Sequence, residues 1–160
     1  MRIILMGNAG AGKTTMASTL IQENPELIRL SLDEIAYGKS IDRRPIEDSG
    51  HDLIKFISSH SCWVMEGVYG DLIELALPYC DELRFLNPGE EICIRHCLKR
   101  PWEASKFDSA DAQAAMLDVL LAWVKDYYSR MDETSLAFHQ KLFLDFKGRK
   151  EEYIDYEQHA

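Results

Sequence analysis

The sequence lacks any apolar run of the roughly 18–20 residues that a membrane span requires. Its best candidate, Met116 to Val124, is broken by Asp118. It also lacks a signal-peptide pattern, because Met1-Arg2 is followed by only four apolar residues before Gly7. Together these absences predict a cytoplasmic protein with no membrane partner. Positive charge is scarce: 27 acidic residues stand against 18 basic ones, for a net charge of −9. That balance opposes non-specific binding to nucleic acid, whose phosphates need a basic footprint, so no nucleic-acid partner is expected. The four cysteines, Cys62, Cys80, Cys93 and Cys97, form no CxxC pair, and in a reducing compartment they are expected to be free thiols. No repeat, low-complexity tract or linker interrupts the chain, so its 160 residues read as one domain, as monomer or homodimer. No serine lies in a G-x-S-x-G elbow, and the N-K-x-D and D-x-x-G elements of a GTPase are missing.

What is present alternates short apolar runs with helical patterns, the arrangement of βαβ units around a parallel sheet. Ile3 to Met6 reads as a strand buried on both faces. A helix is predicted from about Gly12 to Glu23, stopped by Asn24-Pro25. Further strands are predicted at Leu27 to Leu32, Cys62 to Met65, Asp81 to Leu86 and Leu142 to Phe146. Helices are predicted at His51 to Ser59, with Leu53, Ile54 and Ile57 inward, and at Glu90 to Lys99. The longest is expected at Ala110 to Met131, where Leu117, Leu120, Leu121, Val124, Tyr127, Tyr128 and Met131 recur at helical spacing. The charged tail after Gly148 reads as a short helix. Cys93, His96 and Cys97 share one helix face without an evident fourth ligand, and read as core packing rather than a zinc site. The fold class is therefore α/β: a three-layer fold with a five-stranded parallel sheet flanked by helices. Two stretches without clear pattern, 38–50 and 101–109, are assigned to an acceptor loop and a short lid.

Gly7-Asn8-Ala9-Gly10-Ala11-Gly12-Lys13-Thr14 matches G-x-x-x-x-G-K-[ST] in full, between an apolar strand and a helix. The four fixed positions would match by chance on the order of once in a hundred chains of this length, and the flanking elements lower that further. Glycines let successive N–H groups turn inward toward a phosphate, Lys13 adds a point charge between the β- and γ-phosphates, and Thr14, followed by Thr15, offers a hydroxyl to Mg²⁺. ATP and Mg²⁺ are the expected cofactors.

With this loop, the chain length and the five-strand pattern, the sequence resembles the small P-loop kinases, adenylate kinase and shikimate kinase among them. A closer resemblance is to bacterial adenylate-kinase-like ATP-binding proteins often labelled putative shikimate kinase. It is carried by Ser31-Leu32-Asp33-Glu34-Ile35, Trp63-Val64-Met65-Glu66-Gly67-Val68-Tyr69, Cys93-Ile94-Arg95-His96-Cys97, Arg100-Pro101-Trp102-Glu103 and His139-Gln140-Lys141-Leu142-Phe143. The resemblance implies an ATP-dependent phosphotransferase acting on a small-molecule hydroxyl or phosphate acceptor, such as a nucleotide or small acid. The glycine run of shikimate kinases is replaced here by Glu66-Gly67-Val68-Tyr69, so shikimate itself is not implied. An ATP-binding or hydrolysing regulatory switch, without a small-molecule acceptor, is the alternative reading.

The resemblance also implies roles for single residues. Lys13, Asp33 and Arg100 are the catalytic candidates. Asp33 suits an acceptor hydroxyl or a metal-bound water, and equally a helix N-cap. Glu66 suits Mg²⁺ water, with Thr14 and Asp33, or a solvated strand end. Arg95, Arg100 and Arg130 are the candidate clamps on the nucleotide, and Gly148, after the fifth predicted strand, the candidate adenine contact. Arg43 and Arg44, with Asp33, Glu66 and Gly67, are the candidate acceptor residues, the arginine pair suiting a phosphate or carboxylate.

Overall fold

The computed structural model describes residues 1–100 and 107–155. It contains five strands: β1 (Arg2–Gly7), β2 (Ile28–Ser31), β3 (Trp63–Gly67), β4 (Glu82–Leu86) and β5 (Arg149–Tyr153). They form one all-parallel sheet in the order β2-β3-β1-β4-β5. Side chains alternate across a strand. In β1, Ile4 and Met6 therefore enter one core while Ile3 and Leu5 enter the other. Each such side chain, fully buried, contributes about 1.5–3 kcal/mol. The unbroken apolar run of β1 is thus explained by helices on both faces.

One helical layer holds α1 (Lys13–Glu23), α5 (Glu90–Leu98) and α7 (Leu117–Asp126). The other holds α2 (Leu32–Ala36), α3 (Ile46–Ser59), α4 (Gly70–Ala76) and α8 (Leu136–Asp145). The short α6 (Ala110–Ala115) precedes α7 and is capped by the Ser109 hydroxyl, which accepts from the Ala112 N–H. The chain is a three-layer α/β fold with the central sheet flanked by helices. β1 is paired with β3 on one side and β4 on the other, so the order reverses at β1. A crevice outside the carboxyl ends of β1, β3 and β4 is the expected ligand position in such a sheet.

Several expectations need correction. The segment Leu142 to Phe146 is not a strand: it lies in and just beyond α8, which the Ser135 hydroxyl caps by accepting from the Phe138 N–H. His139 and Leu142 are buried one turn apart, as a helix requires. The fifth strand is instead the charged Arg149–Tyr153, predicted as helix; it is an edge strand with exposed side chains, so apolar alternation never marks it. The long helix expected over 110–131 breaks at Met116 and ends at Asp126, leaving Met131 exposed. α3 starts at Ile46, inside the stretch assigned to the acceptor loop, and Ile54 faces outward. Of the expected lid, residues 101–106, Trp102 included, lie outside the described residues.

Candidate active site

Between β1 and α1 the chain makes a tight turn that other elements hold in shape. The buried Asn8 accepts the Ala9 N–H at 2.8 Å through Oδ1 and donates through Nδ2 to the Val124 carbonyl of α7 at 3.1 Å. Gly10 has φ +80°, and a Cβ there would lie 2.3 Å from the Cys93 carbonyl oxygen, so only glycine fits. His96 of α5 places Nδ1 2.7 Å from the Gly10 carbonyl oxygen. The first turn of α1 carries neither a capping side chain nor an acidic residue. Its backbone N–H groups and the helix dipole thus face the turn without a built-in anion. Lys13 arches back over the turn, donating to the carbonyls of Gly7 at 3.0 Å and Asn8 at 2.6 Å. Burial pushes its ammonium pKa down, against the opposing pull of Glu66 and Asp33, while the nearby Arg100 lowers it further.

Two carboxylates converge on this turn. Glu66, at the end of β3, is buried, and its Oε2 accepts from the Thr14 hydroxyl at 3.1 Å. Arg29 of β2 approaches the same oxygen at 3.6 Å. Gly67 follows, packed so closely on Leu32 that a Cβ would sit 2.7 Å from the Leu32 Cβ. That contact draws the start of α2 against the sheet edge and sets Asp33 beside the cavity. The N-cap of α2 is Ser31, so Asp33 lies within the first turn and is not the cap. Its Oδ1 accepts from the Tyr69 hydroxyl at 2.6 Å. Burial and the Asp33 carboxylate both push the Tyr69 pKa up, so this phenol remains a donor.

These groups open onto one cavity of about 300 Å³. Its lining combines the cations Lys13 and Arg100, the carboxylates Asp33 and Glu66, Ala9, Thr14, Gly67 and Val68, and the apolar and aromatic side chains of Tyr37, Tyr69, Leu120 and Trp123. Of the residues singled out from the sequence, Ala9, Lys13, Thr14, Asp33, Glu66, Gly67 and Arg100 line this cavity.

Other candidates are not brought there. Arg43 is held by Asp71 at 2.6 Å and by Glu133. Arg44 is tied to Asp52 at 2.8 Å and to the Ile35 carbonyl at 3.0 Å. The exposed Arg95 pairs with Glu91 one turn earlier, a contact worth a few tenths of a kcal/mol. Arg130 stacks on Trp123 with its guanidinium 4.2 Å from the ring centroid and donates to the carbonyls of Trp123 and Thr134. It supports a wall of the cavity without lining it. Thr15 is exposed on α1, outside the cavity lining. Gly148 precedes β5, whereas the turn after β1 is level with Leu86 and Tyr153 at the other end of the strands. It therefore lies at the opposite edge of the sheet, because the strand it was expected to follow is a helix.

The aromatic wall was not legible as such. Tyr69 and Tyr37 meet edge to face with centroids 6.1 Å apart, and no short-range pattern connects them to Trp123. The resemblance implies no role for His139. Fully buried on α8, it has Nε2 2.7 Å from the Val68 carbonyl oxygen and Nδ1 2.7 Å from the Tyr127 hydroxyl. A carbonyl can only accept, so Nε2 carries the proton and Nδ1 accepts from Tyr127. His139 thereby fixes the backbone between Gly67 and Tyr69.

Burial pushes the His139 pKa from an ordinary 6.5 down to about 4. Its folded-state pKa lies below the unfolded one, so the associated stability is intact above pH 6.5 and is lost as the pH falls toward 4. The expected loss is about 3 kcal/mol over that range, from roughly 1.4 kcal/mol per pKa unit. Urea midpoints measured across it should fall more steeply for the native protein than for His139→Gln. Parallel curves would show that His139 does not titrate with folding.

No protein-family model matches the chain, and comparison with curated protein sequences gives no match. Solved structures do resemble it. An unliganded sugar kinase from Janibacter sp. HTCC2649 superposes with a TM-score of 0.55 at 14% identity, covering 98% of this chain and 85% of that one. A gluconokinase from Sinorhizobium meliloti 1021 gives 0.52 at 12% identity over 99% and 86% of the two chains. Deoxyadenosine kinase from M. mycoides with bound dATP gives 0.51 at 11% identity over 98% and 92%. The fold is P-loop kinase-like. Among the described residues, no helix is long and apolar enough to cross a membrane.

Proposed function

We propose that the chain is an ATP- and Mg²⁺-dependent phosphotransferase acting on a small-molecule acceptor. The observation that carries this reading is the convergence of Lys13, Thr14, Asp33 and Arg100 on one cavity at the carboxyl edge of the sheet. The resemblance of the fold to structures named as small-molecule kinases supports it.

Backbone N–H groups of the turn and of the α1 terminus hold the donor phosphates, and Lys13 neutralises their charge. The Thr14 hydroxyl and the Glu66 carboxylate are hard oxygen donors 3.1 Å apart, which suits Mg²⁺. Bound there with its waters and phosphate oxygens, the ion would supply charge neutralisation. Asp33 accepts the proton of the acceptor hydroxyl, and Arg100 faces the transferring group, where developing charge needs a cation. Catalysis on this reading is mainly positioning and electrostatics.

The test is ADP release from ATP and Mg²⁺ with a panel of sugars, nucleosides, nucleoside monophosphates and hydroxy-acids. Release that depends on an acceptor, with the phosphorylated product detected by mass, is the expected result. Slow hydrolysis indifferent to every compound would defeat the proposal.

A further inference from the structure

Tyr69 reaches the cavity from the turn between β3 and α4, and that turn is gripped from three sides. His139 donates through Nε2 to the Val68 carbonyl at 2.7 Å. The Gly70 N–H donates to the Glu133 carbonyl at 2.8 Å. The third grip is Arg43. Its Nη2 donates to Asp71 Oδ1 at 2.6 Å and its Nη1 to Glu133 Oε1. The same guanidinium lies over the Tyr69 ring, 5.1 Å from the centroid. Three segments distant in sequence thus meet on one side chain: the connection between α2 and α3, the first turn of α4, and the residues just before α8. A planar fork serves two carboxylates in fixed directions and presents its face to a ring, which a single ammonium does not do. Partly exposed ion pairs add little stability, so the consequence of this arrangement is where it holds the ring.

Arg43 is not among the residues that line the cavity, but Tyr69 is. The Tyr69 hydroxyl donates to Asp33 Oδ1 at 2.6 Å, and its ring meets Tyr37 edge to face. Asp33 also interacts electrostatically with Lys13. The two contacts do different things. Coulomb attraction acts over distance with little preference for direction, whereas a short hydrogen bond fixes how a carboxylate is turned. Lys13 therefore answers the charge of Asp33, and Tyr69 sets its orientation. That orientation is only as firm as the ring that carries the hydroxyl.

We propose that Arg43 is a positioning residue for phosphoryl transfer: clamped between Asp71 and Glu133, it holds Tyr69 so that the phenol turns the Asp33 carboxylate toward the acceptor hydroxyl. Arg43 does this without touching substrate. The proposal rests on the phosphotransferase reading, in which Asp33 takes the hydroxyl proton.

The experiment is a double-mutant cycle on Arg43 and Tyr69. Initial rates are measured with ATP, Mg²⁺ and whichever sugar, nucleoside, nucleoside monophosphate or hydroxy-acid the parent phosphorylates. Arg43→Gln should lower kcat about tenfold or more and leave the KM for ATP within about twofold, because misplacing the base leaves the donor phosphates where they were. Tyr69→Phe keeps the ring, removes the hydroxyl and should lower kcat comparably. In the Tyr69→Phe background, Arg43→Gln should cost less than about threefold further, since the link it acts through is already gone. If Arg43→Gln fails to fold, Arg43→Lys enters the cycle under the same criterion, keeping a cation beside Asp71 and Glu133 without the fork. An unchanged kcat, equal losses in both backgrounds, or a loss carried by the KM for ATP would overturn this inference and leave the kinase reading standing. ATP hydrolysis with no turnover of any acceptor would overturn both.

Discussion

Replacing Lys13 with alanine is expected to lower kcat/KM for ATP-dependent transfer by about 10²–10³, the scale seen when one charge-stabilising donor is removed. The ammonium donates to the carbonyls of Gly7 and Asn8. The turn itself is held by Asn8 to α7 and by His96 to Gly10, and neither contact involves Lys13. The variant should therefore fold with an unfolding midpoint close to the parent's while binding ATP more weakly by calorimetry. Turnover within about threefold of the parent would remove Lys13 from the phosphates and with it the proposed donor geometry.

Asp33→Asn separates transfer from binding. Asparagine keeps the size of the side chain, and its Oδ1 can still accept the Tyr69 hydroxyl that now lies 2.6 Å from Asp33. What is lost is the charge and the capacity to take a proton. General-base contributions are typically about 10²–10⁴-fold, so kcat should fall on that scale while the Kd for ATP stays within a few-fold. An unchanged kcat would reduce Asp33 to a hydrogen-bond partner that orients Tyr69.

The half of the site that was legible in the sequence is the half made by contiguous residues. Gly7 to Thr14 carries its chemistry in a single run, and Glu66-Gly67 and Asp33 directly follow apolar strands, where a parallel sheet gathers its functional edge. Arg43 and Arg44 were misjudged because their partners, Asp71, Glu133 and Asp52, are set by folding and not by spacing. The aromatic wall was missed for the same reason, since Tyr37, Tyr69 and Trp123 come from three separate segments. The exchange of α8 and β5 has a different origin. Leu142-Phe143-Leu144-Asp145-Phe146 offers the apolar density of a buried strand, but its burial follows helical spacing from His139. Arg149-Lys150-Glu151-Glu152-Tyr153 pairs on one side only and faces solvent, so its sequence answers to water and not to a core.

That last strand closes the sheet on β4 and, among the described residues, pairs with a strand along one side only. Such a border is a template onto which a neighbouring molecule can stack, and lysine and other charged side chains along it are the usual deterrent. The two cations and two anions that follow one another in β5 therefore guard the molecule against growing into an intermolecular ribbon, an office separate from the chemistry of the cavity.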